Sequence, residues 1–376
     1  MLRSHGLQDE EVTPSVRAIA RCGAGTNNVP VARMSERGIP VFNSPGANAN
    51  AVKELALCSM FLASRGVAQS IQAVDELLSE ETDPKVIKKR VEAEKKRFGG
   101  QEIKGKTLGV IGLGAIGASL AQAAMELGMS VVAYDPAISV EQAWKLPGSD
   151  IDRVLRLEEL LGQADYLSLH VPYMAQTHHM LNKETLQLLK PSCNIINFAR
   201  GELIDTEALG AMYDIGSFRG MYVADFPEKA LQGNPNCLFM PHLGASTGEA
   251  EEVSASMAAE EIRDYLENGV IRNSVNFPET KLSRPEGLVA RLCVVNENVP
   301  GVLGQITTLI GEQNLNILQT VNTSRGDVAY NVVDLGDKPE DIDALQEALF
   351  AVDGVLSSRF ITGQPDMYYR VKGDGK

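Results

Sequence analysis

Residues 107–135, TLGVIGLGAIGASLAQAAMELGMSVVAYD, constrain the fold more than any other stretch of the chain. A short apolar run, 108–111, is followed at once by Gly112, Gly114 and Gly117. A helical pattern then passes through Leu120, Ala124 and Leu127 to Gly128, and a second apolar run, 131–134, ends on Asp135. An isolated glycine cluster would mark only a turn. Strand, glycines, helix, strand and terminal acid in this order specify a βαβ dinucleotide-binding unit. Gly112 permits the tight turn, Gly114 lets a pyrophosphate approach the backbone, and Gly117 lets helix and strand pack closely. The helix N-terminus adds unpaired N–H groups and the positive end of its dipole. Asp135 stands where a carboxylate accepts both hydroxyls of the adenosine ribose. That favours NAD over NADP, whose 2′-phosphate would meet a negative charge.

A chain of 376 residues exceeds one hydrophobic core and predicts two or three domains. Thirty-five basic residues against 49 acidic ones give a net charge of -14, which argues against a nucleic-acid partner. The five cysteines (Cys22, Cys58, Cys193, Cys237, Cys293) are scattered and form no CxxC pair, as expected for reduced thiols in the cytoplasm. No apolar run approaches the roughly 20 residues of a membrane helix. MLRSHGLQDEE at the start has neither the apolar core of a signal peptide nor a transit-peptide composition.

Apolar runs at 16–22 and 41–43 flank a Gly/Asn turn at 23–28, and a helix is predicted over 51–64. The basic run KVIKKRVEAEKKR (85–97) reads as a solvated amphipathic helix. From residue 104 onward, strands are predicted at 108–111, 131–134, 166–171, 194–198, 221–224 and 238–240, with helical stretches between them. Right-handed crossovers make this a doubly wound α/β domain on a parallel sheet. A long helix over 247–267 ends at Asn268-Gly269 and returns the chain to the first domain. After the linker 278–285 the grammar changes: strand 288–296, helix 302–313, strands 316–323 and 328–335 around a turn at 324–327, helix 339–352, strand 355–361. This βαββαβ order is ferredoxin-like.

In an open α/β sheet the ligand lies beyond the carboxyl ends of the strands. Past 194–198 come Ala199 and Arg200; past 221–224 comes Asp225; past 238–240 comes His242. Arg200 offers a planar two-point grip for a substrate carboxylate. A histidine ordinarily exchanges its proton near neutrality, so His242 suits the proton transfer that accompanies oxidation of a hydroxyl. Taken singly, each is an ordinary polar residue at a strand end; together they converge on one end of the cofactor. His178 and His179 are adjacent and cannot both face one site from a helix, and His5 and His170 are expected to lack partners. No spacing suggests a metal, and no G-x-S-x-G suggests a hydrolase.

The chain resembles the D-isomer-specific 2-hydroxyacid dehydrogenases, most closely the branch with a C-terminal ACT domain. The resemblance rests on Arg3-Ser4-His5, GAGTNN (23–28), FNSPGANANAVKEL (42–55), VIGLGAIG (110–117), LSLHVP (167–172), NFARGELID (197–205), ADF (224–226), PHLGAST (241–247), NSVNFPE (273–279) and NENVPGVLGQI (296–306). It covers nearly the whole chain. It implies a Rossmann NAD-binding domain (66–249) inserted in a flavodoxin-like substrate domain (1–65 and 250–280), followed by an ACT regulatory domain (286–364). The implied activity is NAD-dependent oxidation of D-3-phosphoglycerate, the first step of L-serine formation. Alternatives are another D-2-hydroxy acid, or a catalytically weak protein that senses NAD and an amino acid.

The same resemblance assigns roles. Arg200 is the catalytic arginine, His242 the proton-transferring histidine, and Asp225 the acceptor of the nicotinamide amide. Gly112, Gly114, Ala115, Ile116, Gly117, Asp135, Ala199, Arg200, His242, Gly244 and Ala245 are further cofactor contacts. Arg3, Ser4 and Asn48, with Arg200 and His242, hold the phosphorylated 2-hydroxy acid, and Lys95 and Lys96 add an electrostatic role at the same cleft. Asn298 and Asn316 match positions that bind L-serine as effector, and the assembly is a homodimer or homotetramer. The pattern is departed from twice. Relatives have a strand before Arg-Ser, whereas this chain begins at Met1-Leu2, so an unpaired edge is expected beside Arg3 and Ser4. The glutamate that pairs with the histidine falls at Ala230, with Glu228 as its nearest substitute.

Overall fold

The structure is a computed structural model that describes residues 1–138 and 151–362 and the backbone of a strand at 369–371. The chain divides into two compact units, one made of 1–47 and 251–376, the other of 48–250. In the first unit β1 (Ile19–Arg21) pairs in parallel with β2 (Val41–Asn43), and α1 (Val31–Glu36) connects them. The edge expected to be unpaired beside Arg3 is hydrogen-bonded. Leu2 forms a parallel bridge to Arg21, donating from its N–H to the Ala20 carbonyl (2.9 Å) and accepting from the Cys22 N–H (2.8 Å). A parallel bridge needs only one residue between its two bonds, so Leu2 alone supplies the contact.

The second unit opens with α2 (Ala49–Arg65), α3 (Val67–Glu80) and α4 (Pro84–Glu94). The unit boundary falls before α2, ahead of the expected boundary at 65/66, because the helix belongs to the parallel-sheet core. Its Val52, Ala56 and Met60 are buried in one cluster with Leu108, Val110, Leu120 and Ile196. The sheet comprises β3 (Thr107–Ile111), β4 (Ser130–Tyr134), β5 (Ile151–Arg153), β6 (Tyr166–Leu169), β7 (Asn194–Asn197), β8 (Tyr222–Ala224) and β9 (Cys237–Phe239). All seven strands run parallel in the order β5-β4-β3-β6-β7-β8-β9, and α5 (Ala115–Glu126) follows β3. The strand order reverses between β3 and β6, the switch point where such sheets bind ligands. Strand β5 has no counterpart in the sequence reading, since Ile-Asp-Arg carries too few apolar residues to signal one. Among the described residues this unit also has the helices α6 (Leu157–Gln163), α7 (Lys183–Leu186) and α8 (Thr206–Asp214).

The helix α9 (Gly248–Asn268) leads into the rest of the first unit: β10 (Ala290–Glu297), α10 (Val302–Glu312), β11 (Ile317–Arg325), β12 (Val328–Leu335), α11 (Ile342–Ala351), β13 (Val355–Ile361) and β14 (Tyr369–Val371). The antiparallel sheet has the order β11-β12-β10-β13-β14. Arg325 pairs with Val328, so the hairpin loop is Gly326-Asp327 with Gly326 at φ 58°. The two helices cover one face over Leu292, Val294, Val333 and Phe360. The other face packs Cys293, Val295, Tyr330 and Val332 against Tyr265 of α9, Phe42 of β2 and Phe277. Residues 363 and 364 of the segment 286–364 lie outside the described residues.

Candidate active site

The turn after β3 is built by crowding. Gly112 has φ 93°, and a Cβ there would come within 2.9 Å of the His170 carbonyl group beyond β6. A Cβ on Gly117 would meet the Gly112 carbonyl oxygen at 2.0 Å, so helix and turn approach at a distance only glycine allows. Among the described residues nothing lies within 4 Å of a Cβ on Gly114, which precedes α5 and offers that helix no side-chain cap. Ala115 is exposed and Ile116 half-buried on that first turn. The Asp135 carboxylate accepts from the Leu113 N–H (2.8 Å) and the Ala137 N–H (3.0 Å), which ties the end of β4 to the glycine turn.

At the ends of β7, β8 and β9 the structure brings Ala199, Arg200, Asp225, His242, Gly244 and Ala245 onto one edge of the sheet. Arg200 owes its position to Asn197, a fully buried residue that the sequence reading missed. The Asn197 carboxamide oxygen accepts from the N–H groups of Ala199 (3.1 Å) and Arg200 (3.3 Å), and its NH2 donates to the Arg200 carbonyl (2.7 Å). The available signal was an asparagine ending an apolar strand, the residue type that turns a backbone through its own side chain. The Arg200 guanidinium is exposed, and one of its NH2 groups donates to the Ala199 carbonyl at 2.7 Å.

Asp225 is 1% exposed; one carboxylate oxygen accepts from the Gly244 N–H at 2.8 Å and the other is buried without a partner. A buried, unpaired carboxylate oxygen is costly unless a ligand donates to it. With the cradle at Gly114 and the carboxylate of Asp135, it fits the two ends of a dinucleotide. His242 is exposed, adopts φ 31°, an uncommon conformation for a non-glycine residue, and donates from its backbone N–H to the Asp225 carbonyl (2.9 Å). Its ring meets Phe226 edge-on at 5.1 Å. Among the described residues no carboxylate is hydrogen-bonded to that ring. Glu228 lies against Gly201 instead, where a Cβ would meet its carboxylate at 2.6 Å. Desolvation, and then the charge of Glu202, raise the Glu228 pKa. Ala230 is exposed in the short turn Lys229–Leu231.

Other expectations fare differently. His170 is not partnerless: its ring is within 2.9 Å of the Ser168 hydroxyl, and burial lowers its pKa to about 4. His5 likewise pairs with Glu11 at 3.0 Å. His178 and His179 stack at 3.9 Å in a turn, not a helix, because His179 has φ 47°. Lys95 and Arg97 pair with Glu92 and Glu94. Arg97 lines a cavity of about 680 Å³ with Asn194, Met221 and Asn236, at the strands' N-terminal ends. The end of the basic run thus lies at the edge of the sheet opposite Arg200 and Asp225. Asn48 precedes α2, and its side chain makes no capping bond. In the other unit, Arg3 pairs with Glu251 and Ser4 is exposed. Asn298 and Asn316 flank opposite ends of the antiparallel sheet. Asn298 follows Glu297, which pairs with Val328, whereas Asn316 precedes Ile317, which pairs with Leu335. They cannot meet on one ligand within a single chain. Asn298 lines a cavity of about 950 Å³ between α1 and the hairpin at Arg325, in the unit that does not hold Arg200. Cavity size therefore does not locate the chemistry. No cluster of His, Cys, Asp or Glu among the described residues could hold a metal, and no helix of those residues is long and apolar enough to cross a membrane.

Residues 67–244 match the family model for the D-isomer specific 2-hydroxyacid dehydrogenase NAD binding domain. The D-3-phosphoglycerate dehydrogenase of Haemophilus influenzae is 34% identical, over 93% of this chain and 82% of that protein. The Escherichia coli K12 protein of the same name is 32% identical, over 96% of this chain and 86% of its own length. Among solved structures, the apo form of D-mandelate dehydrogenase from Rhodotorula graminis superposes with a TM-score of 0.61 at 28% identity, over 73% of this chain and 78% of that one. The chain, with its glycine turn, its Asp135 and its parallel sheet, belongs to the D-isomer-specific 2-hydroxyacid dehydrogenase family.

Proposed function

We propose that this chain is an NAD-dependent dehydrogenase that oxidises D-3-phosphoglycerate to 3-phosphohydroxypyruvate in the cytoplasm, the first step towards L-serine. The observation that carries the reading is the edge formed by Arg200, Asp225 and His242, with the unpartnered carboxylate oxygen of Asp225 among them. The substrate comes from the names of relatives matched over 82% and 86% of their length. The turn at Gly112, Gly114 and Gly117 and the start of α5 hold the pyrophosphate of NAD; Asp135 holds its ribose and Asp225 its carboxamide. NAD supplies the acceptor for the substrate's C2 hydride. The planar guanidinium of Arg200 binds the substrate carboxylate and polarises the neighbouring oxygen. His242 accepts the C2 hydroxyl proton at its ring nitrogen and releases it to solvent, to which it is exposed. Arg3, Ser4 and Asn48 take the phosphate end.

The test is NADH formation by purified protein over a panel of D-3-phosphoglycerate, D-glycerate and other D-2-hydroxy acids, with NAD and NADP. Preference for an unphosphorylated acid would refute the substrate. A second reading, a weakly catalytic protein that senses NAD and an amino acid, is favoured by one observation: among the described residues no acid is hydrogen-bonded to the His242 ring. Absence of NADH formation, with NADH still bound, would favour it. The βαββαβ sheet is proposed as an ACT domain that binds L-serine. Because Asn298 and Asn316 flank opposite ends of one sheet, a shared ligand requires at least a dimer, in which one copy supplies each asparagine.

A further inference from the structure

Arg3 and Arg21 are neighbours at the carboxyl ends of two parallel backbone segments, since Leu2 bridges Arg21. Arg3 has a counter-ion: its guanidinium lies 2.7 Å from the Glu251 carboxylate, with side-chain exposures of 39% and 55%. Arg21 has none. Its Nε is buried without a partner, and its guanidinium folds over the backbone of Gly23, where a Cβ would come within 1.7 Å of Nη1. Burial and then the charge of Arg3 lower the Arg21 pKa. Two neighbouring guanidinium groups thus have one carboxylate beside them, that of Glu251 in the first turn of α9, and it pairs with Arg3. A ligand anion that binds Arg3 competes with that carboxylate for the same donors.

We propose that Glu251 is an internal anion that occupies Arg3 and competes with the phosphate of the ligand for it. This rests on the reading that Arg3 grips the phosphate of the substrate. With Glu251 in place the two arginines carry a net charge of about +1; without it they carry about +2, so the carboxylate weakens anion binding. A monoanionic hydroxy acid that does not reach Arg3 is untouched.

The test uses the full chain and isothermal titration in the presence of NADH, so that turnover is not needed. The probes are D-3-phosphoglycerate and D-glycerate, at low ionic strength and again at about 0.5 M salt, where exposed charges are screened. Glu251→Gln should tighten D-3-phosphoglycerate binding about two- to fivefold, the fold-change of an exposed ion pair. D-glycerate binding should be unchanged, and the gain should vanish at high salt. Arg3→Gln should weaken the phosphorylated ligand alone. If Arg3→Gln weakens binding while Glu251→Gln leaves it unchanged or weaker, the competition is refuted and Arg3 keeps its role. If Arg3→Gln has no effect, Arg3 does not bind the phosphate and the proposal falls with that reading.

Discussion

Asp225→Asn separates the two oxygens of one carboxylate. One accepts from the Gly244 N–H and the other is buried with no donor among the described residues. Asparagine keeps one oxygen, and the Gly244 bond fixes it in place of the first. Its NH2 then points where the second stood and presents a donor to the donor of a nicotinamide carboxamide. A hydrogen bond to a charged group contributes roughly 1.5–3 kcal/mol, so NADH binding should weaken about 10- to 150-fold. The protein without cofactor should gain or hold its melting temperature, because a buried unpaired charge is replaced by a neutral group. NADH fluorescence titration and thermal melting on the same samples read both effects. Weaker binding with a lower Tm would mean that the fold was damaged. Unchanged NADH affinity would refute the assignment of Asp225 to the carboxamide.

His242→Ala should lower turnover of D-3-phosphoglycerate by roughly 10²–10⁴-fold with NADH affinity preserved; near-parent turnover would move proton transfer to another residue. Asp135→Ala should narrow the preference for NAD over NADP, measured as the ratio of kcat/KM values, and an unaltered ratio would count against the ribose contact. Glu261 on α9 is 3% exposed, accepts from the Asn273 NH2 at 2.6 Å, and is pushed up to about 7, chiefly by burial. Its pKa is higher in the folded state, so its stabilisation is complete below about pH 4.5 and is lost as pH rises through about 7. Glu261→Gln should therefore raise Tm at pH 8 and leave it nearly unchanged at pH 4.5; equal shifts at both would exclude titration as the cause.

The glycine turn was legible because Gly112, Gly114 and Gly117 stand in the spacing that one βαβ unit needs, although the crowding at Gly112 comes from His170 beyond β6. The edge residues Arg200, Asp225 and His242 were legible for a related reason, since each follows an apolar run directly. What could not be read was what holds them. Asn197 looks like one more strand residue until its carboxamide is seen turning the chain at Arg200. The place of Glu228 against Gly201 depends on a contact 27 residues apart in the chain. The bridge at Leu2 was missed because one residue between two hydrogen bonds has no periodicity to detect.

The C-terminal end of α9 binds the antiparallel sheet to the rest of its unit. Arg359 donates to the carbonyls of Tyr265 (2.5 Å) and Leu266 (3.3 Å), with its guanidinium 4.3 Å from the Tyr265 ring centre. Arg284 donates to Glu267, Arg291 to Asn268 at 2.6 Å, and Tyr330 to Gly269 at 2.9 Å. The carbonyls of Leu266, Glu267 and Asn268 are among those that a helix leaves without intrahelical donors at its end, and cations there also meet the negative end of its dipole. Arg291 is held in turn by Asp334, at 2.6 Å, with both side chains almost fully buried. Breaking a buried pair by removing one partner typically costs about 3–5 kcal/mol. Cut away from α9, the sheet would expose these charges together with Cys293, Val295, Tyr330 and Val332. The βαββαβ segment is therefore not a free appendage, and the proposed serine binding is to be tested on the full chain. The same helix carries Glu251, the partner of Arg3, at its other end.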